Sequence, residues 1–137
     1  MDQRAQISVE YILLVAIILL VVLIFASIAF NENEENNVAS SVQLGAANAT
    51  ANMVFTNTSQ APVRVTSVNM TNSSSTQFNI VIHFSGTVSN PTLVFNSIIN
   101  SLHTAGFNNI TQNSTAIVLT TQKSSGITNH MYIITLG

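Results

Sequence analysis

The chain has 137 residues, room for one small domain beside a long helix. Only 6% of residues are charged, against about 25% in ordinary soluble domains, and the net charge of −2 with three basic residues excludes the electrostatic footprint of a nucleic-acid-binding protein. There is no cysteine, so disulfides, thiol chemistry and Cys-based metal sites are excluded as well.

Taken from the front, Met1–Ala5 carries a single basic residue, Arg4. Gln6-Ile7-Ser8-Val9-Glu10-Tyr11 then runs into an apolar stretch that lasts to Phe30. From Tyr11 to Ala26 the tyrosine hydroxyl is the only polar side-chain group, and there is no Gly or Pro. As a helix, about 20 such residues cross a bilayer core. A soluble helix would show a polar face every third or fourth residue; this one has none, so it belongs in lipid or in an equally apolar protein environment. It is too long for the core of a cleaved secretory signal, and no Ala-x-Ala site follows it. Glu10, at the edge of the run, is tolerable at a membrane interface but costs a few kcal/mol toward the centre.

Arg4 before the span and Glu32, Glu34 and Glu35 after it predict an N-in, C-out orientation. The acidic cluster reads as a solvated patch closing the span, because no His lies near enough to complete a metal site.

Gln6-x-Ser8-x-Glu10-x-x-x-Leu14, directly ahead of an unbroken apolar helix, resembles the class III signal peptide of archaeal type IV pilins. The resemblance implies a leader, residues 1–5, cut between Ala5 and Gln6 by a prepilin peptidase that also reads Ser8 and Glu10. The helix stays on the mature chain and can leave lipid only for a bundle of identical helices. There Glu10 would be costly unless paired, and the resemblance implies the new α-amino group of Gln6 on an adjacent subunit as its partner. It further implies an assembly ATPase and a membrane platform protein as partners.

Beyond the acidic cluster the pattern turns amphipathic, with Val38, Val42, Ala46, Ala49 and Met53 at helical spacing. One helix is predicted over residues 6–55, roughly 70 Å at 1.5 Å per residue. Residues 6–30 are apolar all round, and residues 31–55 lay one stripe on a head domain. Gly45 is the one place where it could break.

The head spans residues 56–137. Thr56–Gln60 and Pro62 form a linker. Val63, Val65 and Val68 suggest a strand, and Phe78, Ile80, Ile82 and Phe84 give a period-2 run, with Asn72–Ser75 as the turn between them. Asn90-Pro91 reads as N-cap and first helical residue, and Gly106 as the stop, placing a short helix at Pro91–Thr104. Phe107–Thr111, Ala116–Thr121 and Met131–Leu136 are further strands, separated by Gln112–Ser114 and Lys123–Gly126. The expected fold class is α+β and pilin-like: a long N-terminal hydrophobic helix, then a small antiparallel β-sheet head with one short helix.

The head has no Asp or Glu, so it offers neither paired acids nor a Ser-His-Asp triad. His83, His103 and His130 share no ligand spacing, and His103 suits the negative end of a helix. Neither an enzyme nor a cofactor or metal site is expected.

Six Asn-x-Ser/Thr sequons occur, at Asn48, Asn57, Asn69, Asn72, Asn109 and Asn113. About a third of the chain is Asn, Ser or Thr, and such a composition alone yields roughly four matches. Asn57, Asn72 and Asn113, in turns, are the favoured glycan acceptors, while Asn48 lies on the long helix. The function expected is the structural subunit of an extracellular archaeal pilus with a role in adhesion, its precursor held in the cytoplasmic membrane. The alternatives are a minor pilin or archaellin-like subunit and, from another class, a membrane-anchored monomeric surface-binding protein. Archaellins typically carry Gly near the mature N-terminus, and Gln6–Phe30 has none.

Overall fold

The computed structural model describes residues 3–122 and 129–137, and in the first helix leaves aside the side chains of residues 3, 5, 7, 27 and 29–32. The turn expected at Lys123–Gly126 and the first two leader residues lie outside the described part. Elements follow in the order α1 (Gln3–Thr56), β1 (Val65–Asn72), β2 (Gln77–Phe84), α2 (Pro91–Thr104), β3 (Ile110–Gln112), β4 (Ala116–Thr121) and β5 (His130–Leu136). The layout is α+β and pilin-like: a long N-terminal apolar helix, then a five-stranded, mostly antiparallel sheet. Two compact units divide the chain, Met1–Asn36 and Asn37–Gly137. The boundary falls inside α1, so the second unit includes the amphipathic part of that helix.

In the Asn37–Gly137 unit the strand order is β1-β2-β5-β4-β3. All neighbours are antiparallel except β2 and β5, which pair in parallel from Gln77↔Met131 to Ile82↔Leu136. That pairing needs a long crossover, supplied by α2, β3 and β4. The ladder runs one step further at each end, through Met131 N–H to the Thr76 carbonyl and Gly137 N–H to the Ile82 carbonyl, both 2.8 Å.

Alternation sorts the strands into two faces. Phe78, Ile80, Ile82, Ile117, Leu119, Tyr132 and Ile134 are buried in one core with Val38, Val42, Ala46 and Ala49 of α1 and Val94, Phe95, Ile98 and Leu102 of α2. The Phe78 ring stacks on Tyr132 with centroids 5.0 Å apart. On the other face Asn79, Val81, Val118, Thr120, Ile133 and Thr135 are half-buried.

Gly45 does not break α1. A Cβ there would lie 2.5 Å from Ile98 Cα and 2.9 Å from the Ser97 carbonyl oxygen, so only glycine lets the two helix backbones approach this closely. Ser97 Oγ donates to the Gly45 carbonyl at 2.7 Å and locks the crossing. At the start of α2, the Asn90 side chain accepts from Leu93 N–H at 3.1 Å with Pro91 in the first turn. At its end Gly106 takes the left-handed conformation, φ +97°, and Phe107 N–H reaches back to the Leu102 carbonyl at 2.9 Å. Phe107 therefore belongs to the helix exit, and β3 starts at Ile110 rather than at Phe107.

Candidate functional site

In the Met1–Asn36 unit, the segment Ser8–Ala26 has a mean hydropathy of 3.1, and none of it is buried against the rest of the chain. By length and composition it is able to cross a membrane. Its side chains point outward on every side: Tyr11 and Phe25 are each 68% exposed, and the Leu, Ile and Val residues between them are exposed as well. Fully covering a side chain of this size is worth about 1.5–3 kcal/mol. The fourteen large apolar side chains from Tyr11 to Phe25 are 41–68% exposed, so covering what the single chain leaves bare represents a gross driving force of roughly 10–25 kcal/mol.

Ala5, Gln6, Ser8 and Glu10 all fall within the first turns of α1, with Gln6, Ser8 and Glu10 exposed. Gln6 and Glu10, four residues apart, share a helix face, while Ser8 lies across the helix from them. Beyond the apolar run, Glu34 and Glu35 are half-buried.

The histidines do not come together. His83 is half-buried on the outer face of β2, and His103 is exposed in the last turn of α2 with Nδ1 3.4 Å from Asn108 Oδ1. His130 is buried, its ring edge-on to Phe78 at 5.3 Å. Among the described residues no group of three His, Cys, Asp or Glu is placed to hold a metal ion. An open groove of about 530 Å³ runs between Gln43, Ala47, Ala51 and Val54 of α1 and Pro62–Val65; Arg64 is its one ionisable lining residue, which gives no acid–base pair.

All six sequon asparagines are exposed, but their surroundings differ. At Asn48 the third residue, Thr50, is buried and its hydroxyl donates to the Ala47 carbonyl at 3.0 Å. At Asn57 the Ser59 hydroxyl donates to the Asn57 side-chain oxygen at 2.8 Å. At Asn113 the side-chain oxygen accepts from Thr115 N–H at 2.8 Å and Ala116 N–H at 2.7 Å, which builds the turn into β4. Of the three acceptors expected in turns, Asn72 is instead the last residue of β1, and the burial of Thr50 separates Asn48, on the long helix, from the rest.

Residues 3–28 match the family model described as Class III signal peptide. No curated protein and no solved structure matches the chain. The match agrees with a type IV pilin signal and supports a secreted filament subunit of the pilin-like or archaellin-like kind, typically structural rather than enzymatic. It implies processing by a prepilin peptidase and, with the apolar helix, fits a membrane-anchored precursor exported to a surface filament.

Proposed function

We propose that this chain is the repeating subunit of an archaeal type IV pilus, displayed outside the cell and used for adhesion. The observation that carries the reading is the wholly uncovered apolar helix Ser8–Ala26 in a chain whose other unit closes its own core. A helix with no cover of its own takes cover from lipid before assembly and from the same helix of neighbouring copies afterwards. Contacts between copies are head-to-tail and do not close, which generates a helical polymer. Residues 1–5 are the leader, residues 6–55 the assembly helix and residues 56–137 the exposed head. Prepilin peptidase cuts between Ala5 and Gln6 and recognises Ser8 and Glu10; an assembly ATPase and a membrane platform protein drive polymerisation. N-linked glycans on exposed sequons complete the polar outer surface.

Cleavage creates the charge that Glu10 needs. Inside an apolar bundle a lone carboxylate is strongly unfavourable, and the Gln6 α-amino group of an adjacent copy neutralises it. Glu10→Gln is expected to leave the chain in the membrane but cut its yield in sheared filaments at least about tenfold, the equivalent of 1.4 kcal/mol. Wild-type filament yield from that variant would remove the pairing role.

Intact-mass and N-terminal peptide analysis of protein sheared from the cell surface tests the reading as a whole. A chain starting at Gln6 in the sheared fraction supports it. A chain starting at Met1 and confined to the membrane fraction favours an anchored monomeric surface protein instead.

A further inference from the structure

The sequons are not spread evenly over the sheet. The order β1-β2-β5-β4-β3 makes β1 and β3 its two edges. Asn69 and Asn72 lie within β1, and Asn109 and Asn113 flank β3 directly on either side. The three central strands carry no sequon, although β2 contains Asn79.

Edge strands present a row of backbone donors and acceptors to any other strand, and proteins usually blunt them with charge, proline, bulges or shortness. Neither β1 (VTSVNMTN) nor β3 (ITQ) contains a charged residue or a proline. β3 is only 3 residues long, which itself limits pairing. β1 has 8 residues, and its single irregularity falls between Val65 and Ser67. From Val68 to Asn72 it pairs residue for residue with Ile82 to Phe78, a regular stretch with none of the usual defences. Asn69 and Asn72 sit on that stretch.

At all four edge sequons the asparagine and the hydroxyl residue two places on (Thr71, Ser74, Thr111, Thr115) are exposed, unlike Thr50 beside Asn48. The bonds that hold Asn113 engage its side-chain oxygen and not the nitrogen that a sugar would occupy.

We propose that N-linked oligosaccharides on Asn69, Asn72, Asn109 and Asn113 are the edge protection of this sheet, blocking strand-to-strand pairing between copies. The inference rests on the chain being exported, as proposed above. In each transfer the side-chain amide nitrogen bonds to the anomeric carbon of an oligosaccharide carried on a lipid phosphate. The sugar–phosphate C–O bond breaks, the lipid phosphate leaves with the electron pair, and an amide proton passes to a base of the transferase. A bulky hydrated chain at these positions does what lysine does on other edges. It does so without adding like charge between closely packed heads. β1, the longer and more regular edge, depends on it most.

The test uses full-length protein from its own host. Glycopeptide mass spectrometry of the wild type is expected to find sugar on the edge asparagines, with Asn69 or Asn72 occupied. A combined variant, Asn69→Gln, Asn72→Gln, Asn109→Gln and Thr115→Ala, destroys all four sequons while keeping Asn113 in its turn. It is expected to give several-fold more detergent-resistant, β-dye-binding aggregate than wild type, whereas Asn48→Gln with Asn57→Gln does not. A second variant replaces the three glutamines with lysines and keeps Thr115→Ala; with charge in place of sugar, its aggregation is expected to return to the wild-type level. Bare edge asparagines in the wild type, wild-type solubility of the glutamine variant, or no rescue by lysine would each overturn the proposal. Edge glycans on a chain that never forms a polymer would instead defeat the pilus reading and leave this one standing.

Discussion

The two units of the chain spend the same residue types in opposite ways. Ile17 and Leu20 of the first unit are each 57% exposed, whereas Ile98 and Leu102 of the second are fully buried. The second unit arranges its apolar residues as stripes on two helices and at alternate positions on the three central strands, so that one chain closes one core. The first places them on every side of a helix, where one chain has nothing to cover them. Charge divides the same way: all five acids, Asp2, Glu10, Glu32, Glu34 and Glu35, precede residue 37. In the proposed pilus, folding and assembly fall to separate stretches of sequence, and substitutions should affect one without the other.

The sharpest way to break that separation is a charge in the middle of the uncovered helix. Leu20→Lys places an ammonium group where it costs about 3 kcal/mol in a membrane or apolar bundle, so subunit in the sheared fraction should fall roughly 100-fold. The melting temperature of the 37–137 unit, followed by circular dichroism, should stay at the wild-type value. A smaller effect in the reverse sense is expected from Gly45→Ala. The added methyl meets the α2 backbone at Ile98 and costs about 1–3 kcal/mol, lowering that melting temperature by roughly 5–20 °C. Assembly well below the transition should persist. Smallest is Gly106→Ala, where nothing crowds the methyl but φ is +97°; about 1 kcal/mol and roughly 5 °C are expected.

Where the sequence was informative, the signal was local. Asn90, Pro91 and Gly106 bracket α2 because capping and left-handed backbone are chemistry of single residues, and the observed bounds Pro91–Thr104 coincide with the expected ones. The alternation of Phe78, Ile80, Ile82 and Phe84 likewise places β2. The serine-rich turn before it is held by Ser73 N–H to the Gln77 carbonyl at 2.9 Å.

What stayed hidden depends on distant partners. The parallel β2–β5 pairing is a choice between edges that no strand pattern encodes. Gly45 looks like a break by propensity, and only Ile98 and Ser97, over fifty residues away, explain why it is an approach point. α1 runs from Gln3 to Thr56, three residues earlier and one later than expected, with the Thr56 hydroxyl bonded to the carbonyls of Asn52 and Met53 in its last turn. The motif residues Gln6, Ser8 and Glu10 were legible in the sequence, and they sit exposed on the first turns of α1. The proposed partner of Glu10 belongs to another copy, so neither one sequence nor one folded chain contains it.

The most direct test of the central claim, that copies of the first unit cover one another, is electron cryomicroscopy of material sheared from the cell surface. A helical polymer is expected, its axis lined by Tyr11–Phe25 of neighbouring copies packed against each other with no lipid between them. Finding no polymer, with that segment still in lipid or detergent around single chains, would contradict it.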